Sequence, residues 1–316
     1  MKEILRLRSV KKYFPVKGEG VLKAVDDISF SVKESQVFGL VGESGCGKST
    51  VAKLILKLIE PTGGEIFFDG VDVVKTRGRE LSRLRKGLQI VFQDPQAALN
   101  PRMRVVDTIG EALFINGIVK KRRDLKDSVK EVLHKVGLDE SALYKYPHEF
   151  SGGQRQRICI ARALAVEPRL IVADEPLSAL DVSIQAQIIN LLEDLQKGSD
   201  LAYVLISHDL HVIEYFSDVV AVMYLGKIVE MSDTSELFTE PLHPYTEALL
   251  SAVPSPEVRE KTERIFLKGD VPSPVRIPAG CPFHPRCHKR FEPCDRIVPE
   301  YREVMNGRRV SCHLHR

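Results

Sequence analysis

The stretch that decides the fold is Gly42-Glu43-Ser44-Gly45-Cys46-Gly47-Lys48-Ser49. It follows the apolar run 37–41, which predicts a short buried strand, and it precedes residues 51–59, which are rich in apolar helix formers. A glycine-rich loop in this position directs backbone N–H groups inward, and the helix N-terminus adds positive potential. The pattern therefore predicts a phosphate-binding loop, in which Lys48 contacts the β- and γ-phosphates and the Ser49 hydroxyl binds Mg²⁺.

Composition limits the possible classes of protein. The chain has 316 residues, 43% of them hydrophobic and 28% charged, as expected for one large globular domain and a smaller one. A formal net charge of +3 gives no sign of nucleic-acid binding. No apolar run reaches the roughly 18–20 residues that span a bilayer, and the N-terminus lacks a signal-peptide core. We therefore expect the protein in the cytoplasm.

Strand and helix patterns alternate along the first 235 residues. The patterns predict strands at 28–32, 37–41, 66–68, 170–173, 203–206 and 219–223, and helices at 51–59, 123–136, 158–165 and 183–197. Such alternation predicts an α/β sheet.

Two acids follow the predicted strand at 170–173. Asp174 ends this strand and Glu175 comes next. An acid pair after a strand is usually a helix cap, but a phosphate-binding loop upstream favours a catalytic role. Asp174 is then expected near Mg²⁺, and Glu175 is expected to orient or deprotonate the attacking water.

A second anion site is predicted at Ser151-Gly152-Gly153-Gln154, before a helix. Ser151 suits the N-cap position, and the two glycines expose backbone N–H groups at the positive helix end. One chain cannot easily fold both anion sites onto one γ-phosphate. The sequence therefore predicts a head-to-tail dimer, in which this segment closes the partner's ATP site.

The set of motifs resembles the ABC transporter ATPases over residues 1 to about 235. Residues 151–154 resemble the ABC signature, although Phe150 stands where leucine is usual. Gln93 resembles the Q-loop glutamine, and residues 178–181 resemble the D-loop. The remaining family positions are matched by the switch histidine, His208, and the adenine-stacking aromatic, Tyr13.

The resemblance implies a particular fold and set of roles. It implies an α/β P-loop ATPase core with an antiparallel β-subdomain and a helical subdomain at about 94–168, followed by a small cysteine-rich, loop-rich C-terminal region at 236–316. Lys48, Glu175 and His208 are the implied catalytic residues, with Mg²⁺ on Ser49, Gln93 and Asp174. The implied contacts to ATP are made by Tyr13, Gly42, Glu43, Ser44, Gly45, Cys46, Gly47, Lys48, Ser49, Thr50 and Gln93. The implied D-loop residues are Ser178 and Asp181. The implied contacts to the partner's ATP are made by Ser151, Gly152, Gly153 and Gln154.

Four further stretches resemble the oligopeptide/dipeptide importer ATPases, and their second ATPase subunit in particular. These are residues 98–103, 146–150, 181–187 and 241–246. The resemblance implies a peripheral subunit at the cytoplasmic face of the membrane, working with a second ATPase, two permeases and an external binding protein. Nickel or oligosaccharide import by the same family remains an alternative, as does a soluble ABC-type ATPase of translation or DNA repair.

The C-terminal region holds four of the six cysteines: Cys281, Cys287, Cys294 and Cys312. They follow a stretch that contains Pro254, Pro256, Pro272, Pro274 and Pro278, which predicts an extended linker. Four thiols in a cytoplasmic tail favour a metal over disulfides. The absence of a C-x-x-C pair argues against an ordinary zinc ribbon, and the resemblance implies a [4Fe–4S] cluster, with Zn²⁺ as the alternative.

Overall fold

The computed structural model describes residues 2–252, 264–305 and 307–315, apart from the side chain of Arg122. Pro254 and Pro256 of the predicted linker lie outside these residues. The chain forms two compact units. The first unit comprises Met1–Leu5, Ser31–Gln36 and Phe67–Ile206, and the second comprises Arg6–Phe30, Val37–Ile66 and Ser207–Arg316.

The strands and helices of the described residues alternate over much of the chain. The strands are β1 (Glu3–Val16), β2 (Gly20–Lys33), β3 (Val37–Val41), β4 (Gly63–Phe68), β5 (Val71–Asp72), β6 (Leu88–Val91), β7 (Leu170–Asp174), β8 (Ala202–Ile206), β9 (Val219–Tyr224), β10 (Lys227–Asp233), β11 (Arg302–Met305) and β12 (Arg308–Val310). The helices are α1 (Lys48–Ile55), α2 (Gly78–Gly87), α3 (Pro95–Ala98), α4 (Val105–Ile115), α5 (Leu125–Lys135), α6 (Gly152–Leu164), α7 (Val182–Lys197), α8 (Leu210–Phe216), α9 (Thr234–Thr239) and α10 (Pro244–Ser251). This mixed α/β content confirms the predicted fold class.

The first unit contains a parallel arrangement of β6, β7 and β8, with β7 between the other two. Because β7 is apolar over its first four residues, it is buried there and only Asp174 at its carboxyl end reaches partial exposure. Helix α6 contacts α3, α4 and α5, and α4 contacts α5, and their apolar residues, such as Ile109, Val129 and Ile158, are buried. The strand end and the N-terminus of α6 both present polar residues of the predicted site.

The second unit contains strands in the order β11-β12-β10-β9-β3. Strand β3 is parallel to β9, whereas β9 and β10, β10 and β12, and β11 and β12 are antiparallel. All five residues of β3 are buried, as its uninterrupted apolar sequence predicts. Strand β1, most of which belongs to this unit, lies between β2 and β4. The antiparallel pairing confirms this part of the predicted fold.

Two helices differ from their predicted limits by three residues or more, for local reasons. Helix α1 starts at Lys48 and ends at Ile55, short of residue 59, because Lys57 adopts a left-handed φ of 50°. Helix α6 starts at Gly152 rather than 158, because Ser151 and Gln154 form a capping box that outweighs the poor helix propensity of two glycines.

The C-terminal region has more regular structure than its sequence pattern predicts. Helices α9 and α10 cover most of the stretch 234–251, and β12 adds to β10. Arg308 of β12 is 4% exposed, and its guanidinium lies 3.4 Å from the Glu240 carboxylate. Two hydrogen-bonded strands with a buried cation therefore replace part of the expected loop-rich tail.

Candidate functional site

The loop after β3 has the backbone shape that its glycines permit. Gly42, Gly45 and Gly47 have φ values of 150°, 79° and 112°, in the region that side chains disfavour. A Cβ at Gly47 would lie 2.1 Å from the backbone oxygen of Ala24, and one at Gly42 would lie 2.3 Å from that of Met223. Only glycine fits these two positions, so the sequence motif is tied to this loop shape.

Lys48 begins α1 and its side chain turns back over the loop. It is 4% exposed, and its Nζ donates to the backbone oxygens of Gly42 at 2.7 Å and Glu43 at 3.1 Å. Ser49 follows on the first turn of α1. Cys46 is 5% exposed with its sulfur 3.8 Å from Lys48 Nζ, and burial raises the pKa of this thiol despite the nearby cation. Cys46 therefore fills space in the loop as a neutral thiol.

Glu175 is joined to Gln93 in the first unit. The Nε2 group of Gln93 donates to Glu175 Oε2 at 2.9 Å. Glu175 has a φ of 49°, which a non-glycine residue adopts at a cost, and its N–H donates to the Ile206 oxygen at 2.9 Å. The backbone therefore holds this carboxylate in a strained and defined place just beyond Asp174.

Ser178 and Asp181 follow Glu175 in the same unit. Ser178 Oγ donates to the Glu175 backbone oxygen at 3.2 Å. Asp181 is the N-cap of α7 and accepts hydrogen bonds from Ser183 Oγ at 2.7 Å and from the N–H of Ile184 at 3.0 Å. The Ser183 hydroxyl and these backbone groups lower the pKa of Asp181. Each residue thus has a local structural role besides any role in catalysis.

Ser151 caps α6, as predicted from the sequence. Its Oγ accepts from the Gln154 N–H at 3.3 Å, and its own N–H donates to Gln154 Oε1 at 3.0 Å. Ser151, Gly152 and Gln154 are exposed, so this helix end faces solvent on the first unit. Gly153 is buried, and a Cβ there would lie 2.5 Å from Ile184 Cγ2. Glycine at 153 therefore serves packing, whereas the exposed cap is available to an external group.

Tyr13 lies on β1 in the second unit, with a partner that the sequence does not reveal. Its hydroxyl donates a short hydrogen bond to Asp26 Oδ1, and Lys23 Nζ lies 5.6 Å from its ring centroid. Burial and the Asp26 carboxylate raise the pKa of Tyr13 to about 12. Burial alone would raise the pKa of the Asp26 carboxyl. The hydrogen bond from Tyr13 and the positive charge of Lys227 outweigh the effect of burial, so the pKa of Asp26 is lowered. The Tyr13 ring is thereby fixed in orientation.

The predicted catalytic and magnesium-binding residues are divided between the two units. His208, in the second unit, is exposed and precedes Asp209, the N-cap of α8. Lys48 and Ser49 also belong to the second unit, whereas Gln93, Asp174 and Glu175 belong to the first. Sequence reasoning missed two residues that contact the phosphate-binding loop, Arg286 and Tyr245. No spacing rule could find them, because each lies more than 200 positions from its contact, Glu43.

The donor groups named for Mg²⁺ are of the kind that this ion prefers. Ser49 offers a hydroxyl oxygen, Asp174 a carboxylate, and Gln93 an amide oxygen, since its nitrogen is engaged with Glu175. The residues present therefore fit Mg²⁺ in their chemistry.

The four C-terminal cysteines all line one small pocket. Burial, followed by repulsion from the other cysteines, raises the pKa of Cys281 to about 12. All four are free of disulfides. Within residues 2–252, 264–305 and 307–315, however, no group of three or more His, Cys, Asp or Glu side chains has an arrangement that holds a metal ion. Four cysteine thiols are suitable ligands for an iron–sulfur cluster, but their positions do not form such a metal site. The cluster therefore stays a prediction.

Comparisons with known proteins match both parts of the chain. The ABC transporter family matches residues 25–178, and the oligopeptide/dipeptide transporter C-terminal region matches residues 229–294. The oligopeptide transport ATP-binding protein AppF of Bacillus subtilis is 50% identical over 99% of this chain and 97% of its own length. A putative peptide import ATP-binding protein of Brucella ovis is 49% identical over 98% of this chain and 97% of its own.

Solved structures show the same fold. The cbiO1 protein of Clostridium perfringens, part of an ABC transporter complex, matches with a TM-score of 0.67 at 27% identity, covering 76% of this chain and 92% of its own. The dimeric ATP-binding cassette MJ0796, in a post-hydrolysis state with ADP and phosphate, matches with a TM-score of 0.66 at 28% identity, covering 73% and 99%.

These matches agree with the class that the loop, the capped helix and the strand-end acids define, that of an ABC-type ATPase. The chain belongs to the ABC transporter family, in its group of oligopeptide and dipeptide transport ATP-binding proteins. No helix in the part of the chain that the structure describes is long and apolar enough to span a membrane.

Proposed function

We propose that this chain hydrolyses ATP to energise an ABC importer of dipeptides or oligopeptides. One observation supports the hydrolytic part: just beyond the end of β7, where Glu175 has a φ of 49°, Gln93 donates a hydrogen bond to the Glu175 carboxylate. The peptide cargo rests on the near full-length similarity to oligopeptide transport ATP-binding proteins.

The phosphate-binding loop supplies the substrate contacts in this proposal. Residues 42–50 surround the phosphates with backbone N–H groups, and Lys48 binds the terminal phosphates with its ammonium. Tyr13 stacks on adenine, and its bond to Asp26 keeps the ring in place. The Lys48 ammonium exchanges backbone oxygens of the loop for phosphate oxygens.

Glu175 is the proposed general base. Its carboxylate accepts a proton from the attacking water, and Gln93 orients this carboxylate. His208 contacts the γ-phosphate. Ser49, Asp174 and Gln93 are the residues proposed to hold Mg²⁺, which offsets negative charge on the phosphates when bound. Ser178 and Asp181 hold the backbone after Glu175 through their own hydrogen bonds.

The exposed cap of α6 is the proposed contact to the ATP of a partner. Ser151, Gly152, Gly153 and Gln154 close the site of a second, head-to-tail ATPase subunit, because a helix N-terminus attracts the γ-phosphate. We propose that two permeases bind the pair at the cytoplasmic face of the membrane and that an extracytoplasmic binding protein delivers the cargo. In this arrangement the chain is the second type of ATPase subunit.

Within this proposal the ATPase domain covers residues 1–235, with its helical subdomain at about 94–168, and the C-terminal region covers 236–316. Nickel and oligosaccharides remain alternative cargoes, because the ATPase does not contact what is transported.

We further propose that Cys281, Cys287, Cys294 and Cys312 bind a structural [4Fe–4S] cluster, with Zn²⁺ as the alternative. The support is that all four line the same pocket. Anaerobic purification with iron, sulfide and zinc analysis tests this. Four iron and four sulfide per chain are expected, and a colourless protein with one zinc per chain would contradict the cluster.

Uptake by cells of the source organism tests the transport function. A strain lacking this chain should lose uptake of labelled tripeptides and recover it with the wild-type chain, but not with Lys48→Ala. Glu214→Gln, an exposed residue on α8, serves as the matched control and should restore uptake. Loss of labelled nickel or oligosaccharide uptake, with peptide uptake unchanged, would contradict the peptide assignment.

A further inference from the structure

An ion pair joins the C-terminal region to the phosphate-binding loop. Arg286 Nη1 donates to Glu43 Oε2 at 2.7 Å, and Arg286 Nη2 donates to Glu43 Oε1 at 2.9 Å. The Arg286 side chain is 7% exposed and that of Glu43 is 26% exposed. A two-bond guanidinium–carboxylate pair fixes both the position and the plane of the Glu43 side chain.

The backbone of Glu43 is held by the same region. Its N–H donates to the hydroxyl of Tyr245 at 2.9 Å. Tyr245 is fully buried, with its ring centroid 4.8 Å from that of Tyr224 and 5.3 Å from that of Phe283. The three rings make a rigid support under the start of the loop, because packed aromatic side chains have little freedom to move.

The third polar group of Glu43 faces Lys48. Its carbonyl oxygen accepts from Lys48 Nζ, as does that of Gly42. The side chain, the N–H and the carbonyl of Glu43 are therefore all engaged, two of them by the C-terminal region. Any rotation of this residue moves one of the two backbone oxygens that position the Lys48 ammonium.

Charge makes this contact more than a mechanical support. Glu43 carries a carboxylate inside a loop that receives a polyphosphate, and like charges in such proximity repel. A buried ion pair is a poor means of stabilising a fold, since the cost of removing both charges from water offsets most of their attraction. The pair therefore points to a role in binding besides its contribution to the fold.

We propose that Arg286 is a positioning residue for ATP: it neutralises and orients Glu43, so that the loop accepts the phosphates. The C-terminal region thereby contributes directly to nucleotide affinity. This inference rests on the proposed role of residues 42–50 in binding ATP. It assigns Arg286 no contact with the nucleotide, because its two terminal nitrogens are engaged by Glu43.

The test compares variants of the full chain by titration with Mg-ATP in competition with a fluorescent ATP analogue, together with kcat and KM of ATP hydrolysis. Arg286→Gln leaves the Glu43 carboxylate without its counter-charge, and we expect about ten-fold weaker ATP binding, for one added charge near the phosphates. KM should rise by the same factor and kcat should change less than three-fold. Arg296→Gln, which breaks the exposed pair with Glu292, is the matched control and should bind ATP as wild type does.

Two more variants separate charge from packing. Glu43→Gln removes the same ion pair but leaves a positive charge, so it should weaken ATP binding less than Arg286→Gln does. The double variant Glu43→Gln/Arg286→Gln should recover affinity to within about three-fold, because it restores neutrality.

Several results would overturn the proposed role of Arg286. Arg286→Gln binding ATP within two-fold of wild type would overturn the proposal, as would a Glu43→Gln variant or a double variant as weak as Arg286→Gln. If Arg286→Gln does not fold, Glu43→Gln binding ATP more weakly than the double variant would overturn the proposal, because only Glu43→Gln keeps the positive charge. Failure of the wild-type chain to bind Mg-ATP would instead overturn the proposed role of the loop.

Discussion

Replacing Glu175 by glutamine is the sharpest perturbation of the proposed chemistry, because it removes a base and little else. The two side chains have the same shape, and an amide oxygen at this position can still accept the hydrogen bond that Gln93 donates over 2.9 Å. The strained φ of 49° is maintained by backbone groups, including the N–H bond to Ile206. We therefore expect the variant to fold normally and to bind Mg-ATP within about two-fold of wild type.

The expected loss in rate follows from the role of the base. General-base catalysis contributes about 10²- to 10⁴-fold, so removing it raises the activation barrier by about 3–5 kcal/mol. The hydrogen bond from Gln93 favours the upper part of this range, because it holds the carboxylate in place before the reaction.

Single-turnover hydrolysis measures this loss without interference from product release. Radiolabelled ATP is mixed with an excess of the full chain, and the first-order rate is compared with that of wild type. Glu214→Gln provides the control for an exposed charge change and should hydrolyse at the wild-type rate. A Glu175→Gln rate within ten-fold of wild type, with ATP binding retained, would show that another group is the base.

Three further substitutions follow from the local geometry. Gly47→Ala should abolish ATP binding, because its Cβ would meet a backbone oxygen at 2.1 Å. The control Gly70→Ala is also at positive φ but in open space, so it should cost about 1 kcal/mol of stability and leave ATP binding unchanged. Equal loss of ATP binding in both variants would contradict this reasoning. Ser151→Ala should lower the free energy of unfolding by about 1 kcal/mol and slow hydrolysis more than ten-fold in the assembled dimer; unchanged hydrolysis would exclude the cap from the site. Tyr13→Phe keeps the ring, so ATP binding should persist, while losing about 1–2 kcal/mol of stability at pH 7. Since the pKa of Asp26 is lowered in the folded state, that stabilisation is present above the unfolded pKa of about 4 and is lost as the pH falls through the folded value; a difference in chemical-denaturation stability that is equal at pH 7 and pH 3 would contradict it.

Features that depend on neighbouring residues were predictable from the sequence. The limits of β3 follow from its apolar run, and the N-cap at Ser151 follows from the chemistry of serine before a helix. The loop at 42–49 is defined by glycines whose positive φ no other residue adopts easily. In each case the deciding interaction spans fewer than ten residues, so the pattern carries the information.

Features that depend on distant contacts were not predictable in the same way. Glu43 meets Arg286 and Tyr245 only after the chain has folded, and no periodicity relates positions so far apart. Strand β12 depends on an edge that β10 offers, rather than on its own short sequence.

The measurement that tests the central claim most directly is recovery of partners from the membranes of the source organism. Tagged Glu175→Gln is incubated with Mg-ATP to hold the closed dimer, then purified and analysed by mass spectrometry, with tagged Lys48→Ala as the control that cannot close. We expect two permeases and a second ATPase subunit with Glu175→Gln. Recovery of only ribosomal or DNA-bound proteins would contradict the transporter and leave the ATPase chemistry without its proposed role.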